Sequence, residues 1–371
     1  MSAPTTTTTT AELPTVAPDT RRRRATLLEE SLLPALVALL IALVAGDLLI
    51  LVYGQSPGAV YRLLLEGTWG NAYGFGQVLY KTTTLVFTGL AVSLGLRAGL
   101  FNIGAESQLA AGGFAAAALG LVFPAATPAL VAVPLCVLAA AAAGGAVGAV
   151  PGVLKARFGA HEVIVTIMLN FIVLALLNWI VAAKLHVPET LHTPEMAAGT
   201  GVPRLSAAVG AFHGSAANFT ILLALAVAAL VGWYLFRTRR GYELRAVGLQ
   251  PEAAEYGGVR VPAVWTRAMA LSGALAGLGG VNYVLGYKHY YEDGFAGGAG
   301  FLGIAVALVG RNSPLGVVLA ALFFATLSQG GLAIHALVPK QMVEVLQGIV
   351  ILAVAASVPE VRRLLRARKA S

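Results

Sequence analysis

Gly99–Gly113 reads GLFNIGAESQLAAGG, with long apolar stretches on both sides. A soluble helix carries residues like Asn102, Glu106 and Gln108 on a wet face, but this chain offers little wet surface. Of its 371 residues, 58% are hydrophobic and 11% charged, and the mean hydropathy is +0.80. Soluble domains carry about 25% charged residues. Apolar runs of about 20 residues recur along nearly the whole length, and such runs read as membrane helices. The expected fold class is an all-α polytopic membrane protein. Inside it a carboxylate and two amides need a physical reason.

Working outward from that stretch, ten spans are expected, at roughly 32–53, 75–96, 100–122, 127–152, 160–183, 219–236, 263–286, 299–310, 314–334 and 341–358. The run at 299–310 is short enough to be a half-span or a re-entrant piece. The segment at 100–122 is interrupted by its own polar groups. The 43 glycines and abundant alanine suit a tight bundle, because small residues let helix backbones approach closely in lipid. Cys136 is the single cysteine, so neither an intrachain disulfide nor a cysteine-based metal site is available. No histidine pair has metal-ligand spacing, and no serine, histidine and acid triad is recognisable.

Charge sets the expected topology. Residues 1–30 read as a disordered basic cytoplasmic N-terminus, with a Thr5–Thr10 run and Arg21–Arg24. Residues 31–358 read as the transmembrane domain, and 359–371 as a basic cytoplasmic tail. With both termini inside, most of the 25 Lys and Arg fall in cytoplasmic loops or tails, as the positive-inside rule requires. Arg62, Lys81, Lys184, Arg204, Lys288 and Lys340 fall elsewhere. The formal net charge of +8 does not imply nucleic acid, because no basic stripe with interleaved aromatics is present.

Residues 184–218 would form a long outer loop, and residues 237–262, RTRRGYELRAVGLQPEAAEYGGVRVP, an inner one. Within the inner loop Pro251 can open a helix. Glu252, Ala253, Ala254, Glu255 and Tyr256 extend it, and Gly257-Gly258 can close it. A short helix flanked by arginines is either a docking surface for a soluble partner or an ordinary connection.

Three polar or small-residue patterns stand out in the spans. Asn102 and Glu106 lie four apart, on one face of a regular helix, with Gln108 pointing elsewhere. Glu106 would either cap a broken helix, or pair with a group such as Arg97, or line a translocation path with Asn102. Glu162, Thr166 and Asn170 form a second stripe, which serves either helix–helix hydrogen bonding or a polar solute. Gly294, Gly297, Gly300 and Gly303 step by three, as a closely packed helix face would, and Phe295 and Phe301 beside them suit core packing or a base-stacking wall.

Four stretches together resemble one family. They are GLRAGLFNIGAESQLAAGG, HEVIVTIMLNFI, ELRAVGLQPEAAEYGGV and GFLGIAVALVGRNSPLGVVLAALFF, spread over residues 94–324. They resemble permease subunits of ABC importers in the nucleoside and simple-sugar family linked to basic membrane proteins. Glu252, Ala253, Ala254 and Gly258 match the cytoplasmic coupling loop of ABC importer permeases, whereas Ser107 and Gln250 stand where the family carries Gly and Asn. The resemblance implies a type II importer-like bundle and a nucleoside path through it by alternating access. Pro251, Glu252, Ala253, Ala254, Gly258 and Arg245 would then contact an ATPase subunit. Asn102, Glu106, Thr166 and Asn170 are the path candidates. The implied partners are a second homologous permease, an ABC ATPase that binds ATP and Mg, an extracytoplasmic solute-binding lipoprotein and the bilayer of a bacterial plasma membrane. No cofactor is expected in this chain, and its sequence shows no G-x-x-x-x-G-K-[ST] phosphate loop. Two alternatives remain. One is a simple-sugar permease. The other is an ion-coupled secondary transporter using Asp47, Glu106 or Glu162 as a proton site, although no inverted repeat is evident.

Overall fold

The computed structural model describes residues 40–353 apart from 42, 336 and 340. The two expected basic termini, 1–30 and 359–371, lie outside the described residues. The helices, in chain order, are α1 Leu43–Val52, α2 Pro57–Thr68, α3 Ala72–Arg97, α4 Ala105–Val122, α5 Ala129–Phe158, α6 Glu162–Leu185, α7 Thr220–Arg237, α8 Arg239–Leu249, α9 Pro251–Tyr256, α10 Val261–Lys288, α11 Ala299–Val309, α12 Pro314–Ala333 and α13 Gln341–Ala353. Helices α6 and α10 each finish in a π-turn, Val181–Leu185 and Val284–Lys288.

The expected count of about ten spans is not reached among the described residues. Among the described residues, seven helices are long and apolar enough to cross a membrane: α3, α4, α5, α6, α7, α10 and α12. Of the expected first span, 32–53, the described part forms α1, and α2 follows it at a bend of 111°, where Gly54 takes a left-handed φ and Pro57 opens the second helix. Helices α11 and α13 are shorter pieces of 10–17 residues. The run at 299–310, short enough in sequence to be a half-span, is the 11-residue α11.

The bundle centres on α3, α4 and α10, which are mostly buried, whereas α6 and α7 keep large apolar residues such as Phe171, Trp179, Leu222 and Trp233 on their outer faces. Helix α10 packs against α5 and α4 through glycine. A Cβ on Gly144 would sit 2.4 Å from the Gly273 carbonyl oxygen, and one on Gly148 would sit 2.5 Å from that of Met269. Gly277 is where the three helices meet, with Ala140 and Gly144 of α5 on one side and Gly112 of α4 on the other. Without a hydrophobic drive between helices in lipid, this backbone proximity and the dispersion it allows supply the cohesion.

One end of the bundle is basic. Arg97 at the end of α3 donates to the Asn312 carbonyl, and Arg97 and Arg245 both lie over the Phe236 ring, at 5.6 and 5.2 Å from its centroid. Lys155 pairs with Glu162 at 2.6 Å and lies over Trp265. Arg239 and Arg267 both reach Glu243. At the opposite end the loop after α6 folds into short 3-10 turns, tied by the bridges His192–Glu292 and Arg204–Asn218.

Candidate functional site

Two interruptions of the helical pattern meet inside the bundle. The first is residues 98–104, between α3 and α4, where Gly99 has φ +74° and reverses the chain. Asn102 lies in this break and not on a helix, so the expected shared face with Glu106 does not exist. Asn102 is wholly buried, and its side chain satisfies the break. Its Nδ2 donates to Gln108 Oε1 at 2.7 Å and to Ser272 Oγ at 2.8 Å. Its Oδ1 accepts from Gln108 Nε2 and from the Gly104 N–H. Gln108, expected to point elsewhere, is thus a reciprocal partner, because the amide that meets it comes from the break.

Asn170 of α6 closes the other side. Its Oδ1 accepts from the Ser107 N–H at 3.1 Å, and its Nδ2 donates to the Ile103 carbonyl at 3.0 Å. Thr166 is buried one turn away and returns its hydroxyl to the Glu162 carbonyl of its own helix. Ser107, in place of the family's Gly, fits as a first-turn residue whose hydroxyl donates to the Gly104 carbonyl. The polar stripe of α6 therefore serves as a clamp on a broken backbone, satisfying groups that lipid cannot.

The second interruption is residues 289–298, ahead of α11. Here the expected glycine ladder divides. Gly294 and Gly297 lie in the loop with φ +72° and +54°, followed by Gly298 at +82°. Only Gly300 and Gly303 form a packed helix face. A Cβ on Gly300 would meet the Glu106 backbone at 2.3 Å, and one on Gly303 would meet Thr88 at 2.7 Å. A step-of-three pattern cannot tell a helix face from a turn that needs left-handed residues, and here it contains both. Thr88 is nine residues from the basic end of α3, about 13 Å along the helix, so the two breaks meet well within the bundle.

Glu106 joins them. Its Oε1 accepts from the Gly298 N–H at 2.8 Å and its Oε2 from the Gly300 N–H at 2.7 Å. One carboxylate thus sits in the first turn of α4 and at the N-terminus of α11, where orphan N–H groups and helix dipoles favour negative charge. Arg97, the partner considered from sequence, is engaged at the basic end instead.

Two cavities flank the junction. The larger, about 610 Å³, lies among α3, α10, α11, α12 and α13. Tyr80, Tyr283, Phe295 and Phe301 give it aromatic walls, and Lys81, Ser328 and Gln347 give it polar ones. Tyr283 and Phe295 pack with ring centroids 4.7 Å apart, and Lys81 Nζ donates to both Ser328 oxygens. The smaller, about 380 Å³, is lined by Glu106, Asn178, Asp293 and Phe171 among others. Phe295 and Ala296 line both. Of the four path candidates, only Glu106 borders either of these two cavities, the smaller one. Asn102, Thr166 and Asn170 line neither. Tyr80, Tyr283 and Gln347 escaped notice in the sequence, and Lys81 was noted there only as a cation away from the basic ends.

The inner loop forms two helices. Thr238 caps α8 by accepting from the Gly241 N–H, and α9 follows with Pro251 in its first turn and Gly258 at φ +82° beyond its end. Pro251, Glu252 and Ala253 are exposed while Ala254 is buried. Leu249 and Tyr256 beside them are 85% and 95% exposed, an apolar pair left in the open. Arg239, Arg240, Arg260 and Arg267 border an adjoining groove. Gly248 of α8 packs on the first break, where a Cβ would lie 2.1 Å from the Arg97 carbonyl oxygen.

The Asn102 network carries a prediction. Asn102→Leu strips partners from Gln108, Ser272 and the Gly104 N–H, and each buried group left unmatched costs about 1–3 kcal/mol. The purified protein should melt several degrees lower, and an unchanged melting curve would refute the network's role.

Residues 74–355 match the family model described as the permease component of the branched-chain amino acid transport system. The chain is similar to the guanosine ABC transporter permease protein NupP of Bacillus subtilis, 39% identical over 88% of this chain and 93% of the relative. It is also similar to the glucose ABC transporter permease protein TsgB13 of Haloferax volcanii (34%; 85% of each). A third relative is the nucleoside ABC transporter permease protein NupB of Lactococcus lactis (32%; 80% of this chain and 82% of the relative). Bacillus subtilis and Lactococcus lactis each hold a second, more distant permease match, at 30% and 28% identity. No solved structure matches the chain.

Proposed function

Since the chain belongs to the family described as the permease component of the branched-chain amino acid transport system, and is a multi-pass membrane subunit of an ABC transporter, we propose that it imports nucleosides. A permease is a transport subunit and not an enzyme; hydrolysis of ATP belongs to a separate subunit. The observation that carries the nucleoside reading is the 39% identity spread over 93% of a guanosine permease. The larger cavity supports it. Aromatic walls suit the flat face of a base, and the lysine, serine, glutamine and glutamate that also line the cavity suit ribose hydroxyls and base edges. Both helix N-termini at the junction are already filled, α4 by Asn102 and Asn170, α11 by Glu106. An amino-acid carboxylate would find no open helix end there, which favours an uncharged solute over a branched-chain amino acid.

The remaining parts of the machine follow from that role. A second, homologous permease completes the path, as the paired relatives in two organisms suggest. An ATPase holding ATP and Mg docks on α9, with Pro251, Glu252, Ala253, Ala254 and Gly258 at the contact and Arg245 bracing α8. A solute-binding lipoprotein delivers from outside. The basic end faces the cytoplasm of a bacterial cell by the positive-inside rule.

The test is uptake by the whole complex in vesicles, using radiolabelled guanosine with unlabelled nucleosides, glucose or leucine as competitors. Nucleosides alone should compete. Competition by glucose would move the solute to simple sugars, and competition by leucine would overturn the uncharged-solute argument. Lys81→Met should reduce uptake by about ten-fold or more, the equivalent of one hydrogen bond to a charged group. An unchanged rate would remove Lys81 and its cavity from the path.

A further inference from the structure

The partition between the two cavities is thin and oddly built. Phe295 and Ala296 face both, and the segment they belong to contains three glycines with left-handed φ, at 294, 297 and 298. Such residues permit backbone rearrangements that other side chains would resist. The Phe295 ring ends on α4, where a Cβ on Gly113 would lie 2.7 Å from its Cζ, and its flanks rest on Tyr283 and Tyr291. Where the segment enters α11, it is tied to α4 by the Glu106 carboxylate through the Gly298 and Gly300 N–H groups. Glu106 is 6% exposed, so this is a buried carboxyl group whose hydrogen bonds come from the partition itself.

We propose that residues 294–298 are a gate between the two cavities, with Phe295 as the plug and Glu106 as the catch that keeps it closed. The inference rests on the chain being a permease, and it is independent of which solute passes. The catch is reversible because it consists of hydrogen bonds to a helix end, which relaxed N–H groups can exchange for water or solute. It is also placed to be released from the basic end. Gly248 of α8 touches the break at Arg97–Gly99, that break leads directly into α4, and Glu106 stands in the first turn of α4. A displacement of α9 and α8 therefore meets a short, packed route to the carboxylate. Glu106 is a positioning residue here: it acts on the solute path through Phe295.

The experiment reads access and not uptake. Cys136 is the single cysteine and wholly buried, so Cys136→Ser gives a clean background. Ala296→Cys places a thiol on the partition, and Ser328→Cys places a control in the larger cavity, away from the catch. In the assembled, nucleotide-free transporter, a small water-soluble thiosulfonate should label position 296 slowly. Adding Glu106→Gln keeps the shape but sets an amide N–H against a backbone N–H. Labelling at 296 should then rise by about ten-fold, the scale of one lost charge at a helix end, with labelling at 328 unchanged. Equal rises at both positions would mean general loosening and would overturn the catch, as would no rise at 296. If Glu106→Gln does not assemble, Phe295→Ala decides: it must speed labelling at 296, and failure to do so removes the plug. Absence of guanosine uptake by the parent complex would refute the nucleoside reading and leave this result standing.

Discussion

Valine at position 277 is expected to abolish the folded protein. Gly277 sits where α4, α5 and α10 converge, and it has no side chain because there is no room for one. A Cβ there would lie 2.4 Å from the Ala140 carbonyl oxygen, and Gly112 and Gly144 approach its Cα from two other helices. The obstructing atoms are backbone, so no rotamer change relieves the clash; helices must move apart. Overpacking typically costs about 1–3 kcal/mol where side chains can adjust, and more is expected against three rigid backbones. Separation would also forfeit the dispersion along the Gly144–Gly148 and Gly273–Gly277 seam. Gly277→Val should give little or no monodisperse protein from detergent, whereas Gly58→Ala, with only Ser56 Oγ at 3.9 Å, should match or exceed the parent. Recovery of Gly277→Val with the parent's melting temperature would show that the junction tolerates separation, and the account of cohesion would fail.

The second large effect is functional. Gly248→Val should lower stability less than Gly277→Val and, in the complexes that assemble, cut uptake by about ten-fold or more, since about 1.4 kcal/mol of misplaced coupling corresponds to a factor of ten. Position 248 presses α8 onto the Arg97 carbonyl, and Gly99 opposite approaches within 3.3 Å of the Gly248 Cα for any Cβ it carried. A side chain at 248 would lift α8, and with it α9, away from the break leading to α4. The residue is peripheral, so stability should change less than at Gly277. The measurements are ATP-dependent uptake, ATPase activity with and without loaded binding protein, and co-purification of the ATPase. Co-purification should persist while stimulation by substrate disappears. Normal uptake in an assembled complex would show that motion enters the bundle by another route.

Several elements were legible from residues alone, and for identifiable reasons. Apolar run length located the helices, because lipid demands about 20 residues per span whatever the packing. Pro251, Gly257 and Gly258 bounded α9 through backbone rules that act within a few residues. The four matching stretches indicated a permease, and residues 74–355 belong to that family. The half-helix α11 was legible as a run too short to span, 299–310, whereas the bend between α1 and α2 was not. The 111° bend lies at Gly54–Pro57, just past the apolar run, and leads into α2, whose Arg62 and Glu66 kept it from reading as part of a span.

The polar residues mark the division most clearly. Sequence determined that Asn102, Glu106, Gln108, Thr166 and Asn170 sit among apolar neighbours and therefore need partners, since unsatisfied groups in lipid cost several kcal/mol. It also determined that Lys81 is a cation far from either basic cluster. Only the tertiary structure decided which partners they have. Glu106 is bonded 192 and 194 residues away in the chain, and Asn102 meets Ser272 170 residues away. Hydropathy and helical periodicity act over a few turns, whereas hydrogen bonds form wherever packing brings two surfaces together. The composition of the site is thus local information, and its wiring belongs to the fold.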